Sequence, residues 1–204
     1  MEDSKKKLVI LSKSMKSCRA CLEEGYEIYP PAVFSGPGSA LFMTIGQAPG
    51  ITEQEVGRPF NAGSGKRLFD WLGRAGIEED WFRSTQYMTS VTKCYPGRQP
   101  TGSGDRVPGK REQELCRPFL DQEIELVDPR VMIPIGRFAI NLFYPKKLKL
   151  KEIIGTQIEV AGRLVIPLPH SSGASRWHQI EENRRLIDRA IALIRERVKE
   201  YFPK

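Results

Sequence analysis

Four cysteines, Cys18, Cys21, Cys94 and Cys116, are the residues of this 204-residue chain whose type and spacing most directly suggest chemistry. Cys18 and Cys21 form a C-x2-C pair that offers two thiols from one turn, and Cys94 and Cys116 would close a site from far along the chain. The opening residues, Met1 to Lys7, lack the apolar core of a secretory signal, so the expected location is the cytoplasm, where disulfides are rare. A shared zinc ion or iron–sulfur centre is therefore the leading expectation, against four unconnected thiols packed as small hydrophobes.

The second set of residues lies on loops rich in glycine and proline. Gly46-Gln47-Ala48-Pro49-Gly50 is a sharp turn able to bring backbone groups and the Gln47 side chain close to a ligand. Gly57-Arg58-Pro59-Phe60 follows, then Ser90 to Cys94, then His170-Ser171-Ser172. Two nucleotide-loop look-alikes fail: Gly63-Ser64-Gly65-Lys66 has Arg67 where Ser or Thr is needed, and Gly36-Pro37-Gly38 has Leu41 at the third glycine position.

These loops need elements to carry them. Apolar runs predict strands at 40–45, 86–91, 131–135 and 164–168, each stopping at one of the loops or at a glycine. Helical periodicity predicts helices over 63–75, 110–127 and 177–199, with a short one after Gly136. Strands alternating with helices imply an α/β fold, a three-layer α/β/α sandwich with a mostly parallel central sheet of about four strands, in one domain spanning 1–204. In such sheets the site lies at the carboxyl ends of the strands. The stretch 95–109, rich in proline, glycine and arginine, is expected to be a mobile basic loop.

With 40% hydrophobic residues the chain can bury a core, and it has no apolar run of the roughly 20 residues a membrane span requires. A net charge of +7 favours an acidic partner, DNA being the one expected, bound by a monomer. Arg58, Lys66, Arg98, Arg106, Lys110, Arg111 and Arg176 stand in or beside the loops and could meet phosphates.

Taken in order, the C-x2-C pair, Gly46 to Gly50, Gly57 to Phe60, Ser90 to Cys94, Cys116-Arg117-Pro118-Phe119-Leu120 and His170 to Ser172 resemble the uracil-DNA glycosylase superfamily, in particular its iron–sulfur branch, family four. The resemblance spans about residues 18–175 and implies a [4Fe-4S] cluster on Cys18, Cys21, Cys94 and Cys116, with zinc the lesser alternative. It implies that His170 donates a hydrogen bond to the departing base and that Phe60 stacks on it. Gln47 and the backbone of Ala48 would orient water, Gly46, Ser90 and Ser171 would line the base pocket, and Arg58, Lys66 and Arg176 would bind DNA. Glu53 is a substitute carboxylate, because Ala48 stands where some branches carry aspartate. A small residue, Ala174 or Ser175, occupies the place of the strand-intruding wedge, leaving that task to Arg176 or Trp177.

The chain also departs from the pattern. Gln47 replaces the branch's glutamate, Ser90 an asparagine, and Ser171 a proline, and the interval between Cys94 and Cys116 is enlarged. The resulting expectation is a monofunctional glycosylase that excises a deaminated base, most readily uracil, with preference broadened toward hypoxanthine and xanthine. The rival is a nucleic-acid-binding protein of the same fold that has lost catalysis.

Overall fold

The computed structural model describes residues 2–101, 104–172 and 176–203. Five strands form one sheet in the order β2-β1-β3-β5-β4: β1 (Phe42–Gly46), β2 (Tyr87–Ser90), β3 (Val131–Pro134), β4 (Ile158–Val160) and β5 (Arg163–Val165). The pairs β1–β2, β1–β3 and β3–β5 are parallel, and β4 runs antiparallel to β5. The helices are α1 (Glu2–Ser17), α2 (Ala20–Glu23), α3 (Ile51–Val56), α4 (Gly63–Arg74), α5 (Glu79–Thr85), α6 (Lys110–Val127), α7 (Gly136–Ile140), α8 (Leu150–Ile153) and α9 (Glu181–Tyr201), with a 3-10 turn at Trp177–Gln179.

β1, β2 and β3 are buried at every position, which is why they read as unbroken apolar runs and not as alternating ones. Register assigns the layers. Ile45 pairs with Thr89, and Thr89 binds Glu123 of α6, so α6 covers that face. Phe42 points the other way and packs against Tyr201 and Phe202 at the end of α9. The sheet is thus sandwiched between helices, as expected, with one strand more than foreseen.

The fifth strand comes from a hairpin whose turn residues, Ala161 and Gly162, both have positive φ, 50° and 77°. β4 is three residues long and only partly buried, and Ile158-Glu159-Val160 is too short a run for the sequence to announce it. At the opposite edge, β2 is flanked by the segment around Ser35, whose backbone exchanges hydrogen bonds with Met88. The predicted strand at 164–168 starts as β5 and continues as a bonded ribbon, with Ile166 and Leu168 N–H groups donating to Met132 and Pro134 carbonyls. No helix among the described residues is long and apolar enough to cross a membrane.

The stretch 95–109 is anchored rather than loose at its described residues. Arg106 forms a bidentate pair with Glu112 and donates to the carbonyls of Pro96 and Glu27, while Arg98 and Asp105 face each other in a bridge. Arg106 is thus spent on an internal pair, which the sequence could not reveal because Glu112 lies in the following helix.

Candidate active site

The strand ends define the site. Gly46 closes β1 and pairs with Ser90, which closes β2, and Ile135 after β3 pairs with Leu168, two residues before His170. Above them opens a cavity of about 520 Å³ that Gly46, Gln47, Ala48, Glu53, Phe60, Ser90, His170 and Ser171 all line. Turns more than a hundred residues apart in the chain therefore meet in one hollow large enough for a nucleobase.

His170 is set by two features. Gly136, at φ +81°, leaves so little room that an added Cβ would stand 2.9 Å from the ring's Cδ2, so only glycine admits the imidazole there. The Nδ1 atom accepts a hydrogen bond from the Ser172 backbone N–H at 3.1 Å, which puts the proton of the neutral ring on Nε2. Solvent reaches the ring through the open cavity, yet the walls desolvate it enough to lower its pKa below the usual 6.5. At neutral pH His170 is an uncharged donor through Nε2.

Phe60 forms a wall. An added Cβ on Gly46 would lie 3.1 Å from its ring, so a bare backbone floor meets an aromatic side. Its φ of +50° is unusual for a side-chain-bearing residue. One glycine of the failed phosphate-loop match serves this turn: a Cβ on Gly65 would stand 1.8 Å from the Phe60 carbonyl oxygen.

Ser90 is buried, and its hydroxyl donates to the Thr92 carbonyl at 2.7 Å. A serine hydroxyl in isolation offers a rotatable donor, but here the hydrogen is committed and the oxygen can only accept from a guest. Ser171 is also buried, and Arg67 holds its carbonyl at 3.2 Å. Glu53 sits in α3, not in an exposed loop, and accepts the Gly50 N–H. Burial, then the nearby charge of Asp105, raises its pKa. Asp105 itself lines the cavity and went unnoticed in the sequence, since nothing in a polar loop marks which residue folds back over the site.

Of the proposed phosphate contacts, Arg58 and Lys66 are exposed, with Arg58 bonded to Asn61, and Lys66 lines a neighbouring hollow on the far side of Phe60. Arg176 is exposed as well. Arg106 and Arg111 are corrected: Glu112 and Glu24 engage their guanidinium groups. Trp177 is half-buried and packs against the core, while Ala174 and Ser175 lie outside the described residues.

The four cysteines line one small apolar hollow, walled by Met15, Leu22, Ile28 and Phe119 among others. Burial, and after it the proximity of the other thiols, raises Cys21 to about 11 and Cys94 to about 12. Thiols this hard to ionise need a strong electrophile to become thiolates. The Lys93 backbone N–H lies 3.4 Å from Cys116 Sγ, a donor suited to a ligating sulfur. Among the described residues no three potential ligands close on a point that would hold a single metal ion. An all-thiol, apolar setting shared by four cysteines nevertheless fits an iron–sulfur group.

The two sites share a wall. Lys93, fully buried, places Nζ on Glu123 Oε2 at 2.5 Å, on Thr89 Oγ1 at 2.7 Å and on the Ser90 carbonyl at 2.5 Å. Tyr87 and Thr89 hydroxyls complete the bonding of Glu123. Residues 89–94 thus reach from the cavity to the cysteine hollow.

A mostly parallel sheet with a polar-edged cavity at its strand ends defines an α/β ligand-site protein, and comparison with known proteins names the class. The model of the Uracil DNA glycosylase superfamily matches residues 32–195, and the chain belongs to that superfamily. Its relatives include the type-4 uracil-DNA glycosylase of Thermotoga maritima, 31% identical over 182 residues, which is 87% of this chain and 88% of the relative. The type-4 uracil-DNA glycosylase of Archaeoglobus fulgidus is 32% identical over 153 residues, 72% of this chain and 71% of the relative.

Proposed function

We propose that this protein is a monofunctional uracil-DNA glycosylase: it flips a deaminated base into the cavity and hydrolyses the N-glycosidic bond, leaving an abasic site. The observation that carries the reading is the meeting of Gln47, Phe60 and His170 in one cavity, with the His170 tautomer fixed as an Nε2–H donor.

The leaving pyrimidine departs as an anion while the sugar takes up positive charge. His170 Nε2–H donates to the base oxygen on which negative charge grows, and a donor fixed in advance stabilises the transition state more than the ground state. Phe60 offers its ring for stacking, worth about 1–3 kcal/mol per base, which offsets much of the few kcal/mol that unstacking costs. Gln47 and the Ala48 backbone hold the attacking water. Ser90 Oγ accepts a base N–H. No lysine is among the described residues lining the cavity, which favours simple hydrolysis over a lyase step.

Cys18, Cys21, Cys94 and Cys116 would hold a [4Fe-4S] cluster, whose service here is to cross-link the N-terminal segment to residues 94 and 116, since glycosidic hydrolysis moves no electrons. A brown protein absorbing near about 400 nm is the expected result, whereas a colourless, zinc-containing one would replace this assignment with zinc.

The deciding experiment incubates the protein with uracil-containing DNA and cleaves abasic sites with alkali, beside a His170→Ala control. Base release that the control lacks supports the enzyme. Binding without release supports the rival, a DNA-binding protein disabled by its Gln47, Ser90 and Ser171 departures.

A further inference from the structure

Phe60 holds a backbone conformation that an L-residue resists, and something must keep it there. The neighbouring helix α5 supplies the restraint. Arg83 donates from Nη2 to the Phe60 carbonyl at 2.7 Å and from Nη1 to the Pro59 carbonyl at 2.9 Å, so one guanidinium spans two successive peptide oxygens. Its Nε is bonded to Glu79 Oε1 at 2.8 Å, one helical turn back, and its Cζ lies 4.4 Å from the centre of the Phe69 ring. The side chain is 12% exposed and every face of it is engaged. The same carbonyl rests against Gly65, where an added Cβ would stand 1.8 Å from the oxygen.

We infer that Arg83 is a positioning residue of the base pocket: acting through the Pro59 and Phe60 carbonyls, it holds the Phe60 ring against the floor at Gly46, where an extruded base is to stack. The geometry is specific to arginine, because a planar fork reaches both oxygens at once and a lysine ammonium is a single point. Pro59 contributes a fixed φ on one side and Gly65 an open space on the other, so the fork is the part of the assembly that a side-chain change can remove. This inference rests on the stacking role given to Phe60.

The test is a double-mutant cycle in single-turnover uracil release, with Phe60→Ala, Arg83→Met and the double variant, each checked for folding by its melting temperature. Methionine keeps the aliphatic stem over Phe69 and deletes the fork. Phe60→Ala is expected to slow release about 10- to 100-fold, the range that loss of one stacking contact implies. Arg83→Met is expected to slow it about 10-fold with little change in DNA affinity, since stacking acts after the duplex is bound. In the double variant the Arg83 change should add nothing, and Arg83→Lys should recover only part of the loss.

Equal slowing by Arg83→Met with and without Phe60 would overturn the inference, as would an unchanged rate for Arg83→Met beside a slow Phe60→Ala. An unchanged rate for Phe60→Ala alone would bring down the stacking role, and the inference with it; that result is separate from the other two. Should the methionine variant unfold, the cycle is run with Arg83→Lys and judged by the same non-additivity.

Discussion

His170 receives one hydrogen bond so that it can give another. The Ser172 N–H occupies Nδ1, and protonating that nitrogen would set two donors against each other, so the acid form is penalised by contact as well as by burial. Uracil release should therefore hold from neutral pH downward and fall only below pH 6.5, where protonation of Nδ1 breaks the Ser172 contact that aims the Nε2–H; a rate profile against pH checks this. His170→Ala is expected to lower kcat by about 10²–10³ with little change in DNA affinity. Ser90 gives a prediction of selectivity. With its hydrogen spent on Thr92, it can accept an N–H from uracil or from hypoxanthine alike, and Ser90→Asn should raise the preference for uracil over hypoxanthine by about 10-fold in paired oligonucleotide assays. His170 was legible in the sequence because it stands just past an apolar run on a loop free of other chemistry. The direction of the Ser90 hydroxyl was not, because a partner two residues away cannot be told from one across the pocket until the backbone is fixed.

Elements carry these residues with differing clarity. The central strands and the helices at 63–75 and 110–127 show in the sequence because burial on both sides of a parallel sheet demands continuous apolar runs, and the helices above it need an apolar stripe. α1 escaped notice because Leu8, Leu11 and Met15 are buried from within a stretch whose many lysines mask the apolar stripe. α5 was silent as well, and with it the clamp on Phe60. The Lys93–Glu123 pair belongs to this scale, joining the end of β2 to α6 inside the core. Removing one partner leaves a buried charge unmatched, so Glu123→Gln should cost about 3–5 kcal/mol of stability, roughly 6–20 °C in melting temperature by calorimetry. Replacing both residues by apolar ones should restore much of that loss, which separates charge balance from packing.

Across the whole molecule 32 lysines and arginines stand against 25 acidic residues, and internal pairs such as Arg106–Glu112 leave the excess of +7 unchanged while taking particular cations out of reach of phosphate. If Arg58, Lys66 and Arg176 each neutralise one phosphate, log affinity should fall with log salt at a slope of about −2.7, and each alanine substitution should reduce the slope by about 0.9 in a binding titration. The assembly of distant turns into a single cavity was legible as an ordered series of motifs, whereas Asp105 at its rim was hidden in a loop that only folding brings over the site. The two margins of the sheet have a further effect. One is occupied by the Ser35 segment, and the other ends in a three-residue ribbon bearing the exposed Glu159. Neither presents a long row of vacant amides, so a foreign chain finds no template to extend, and a repair protein crowded along DNA is guarded against fibrillar self-association.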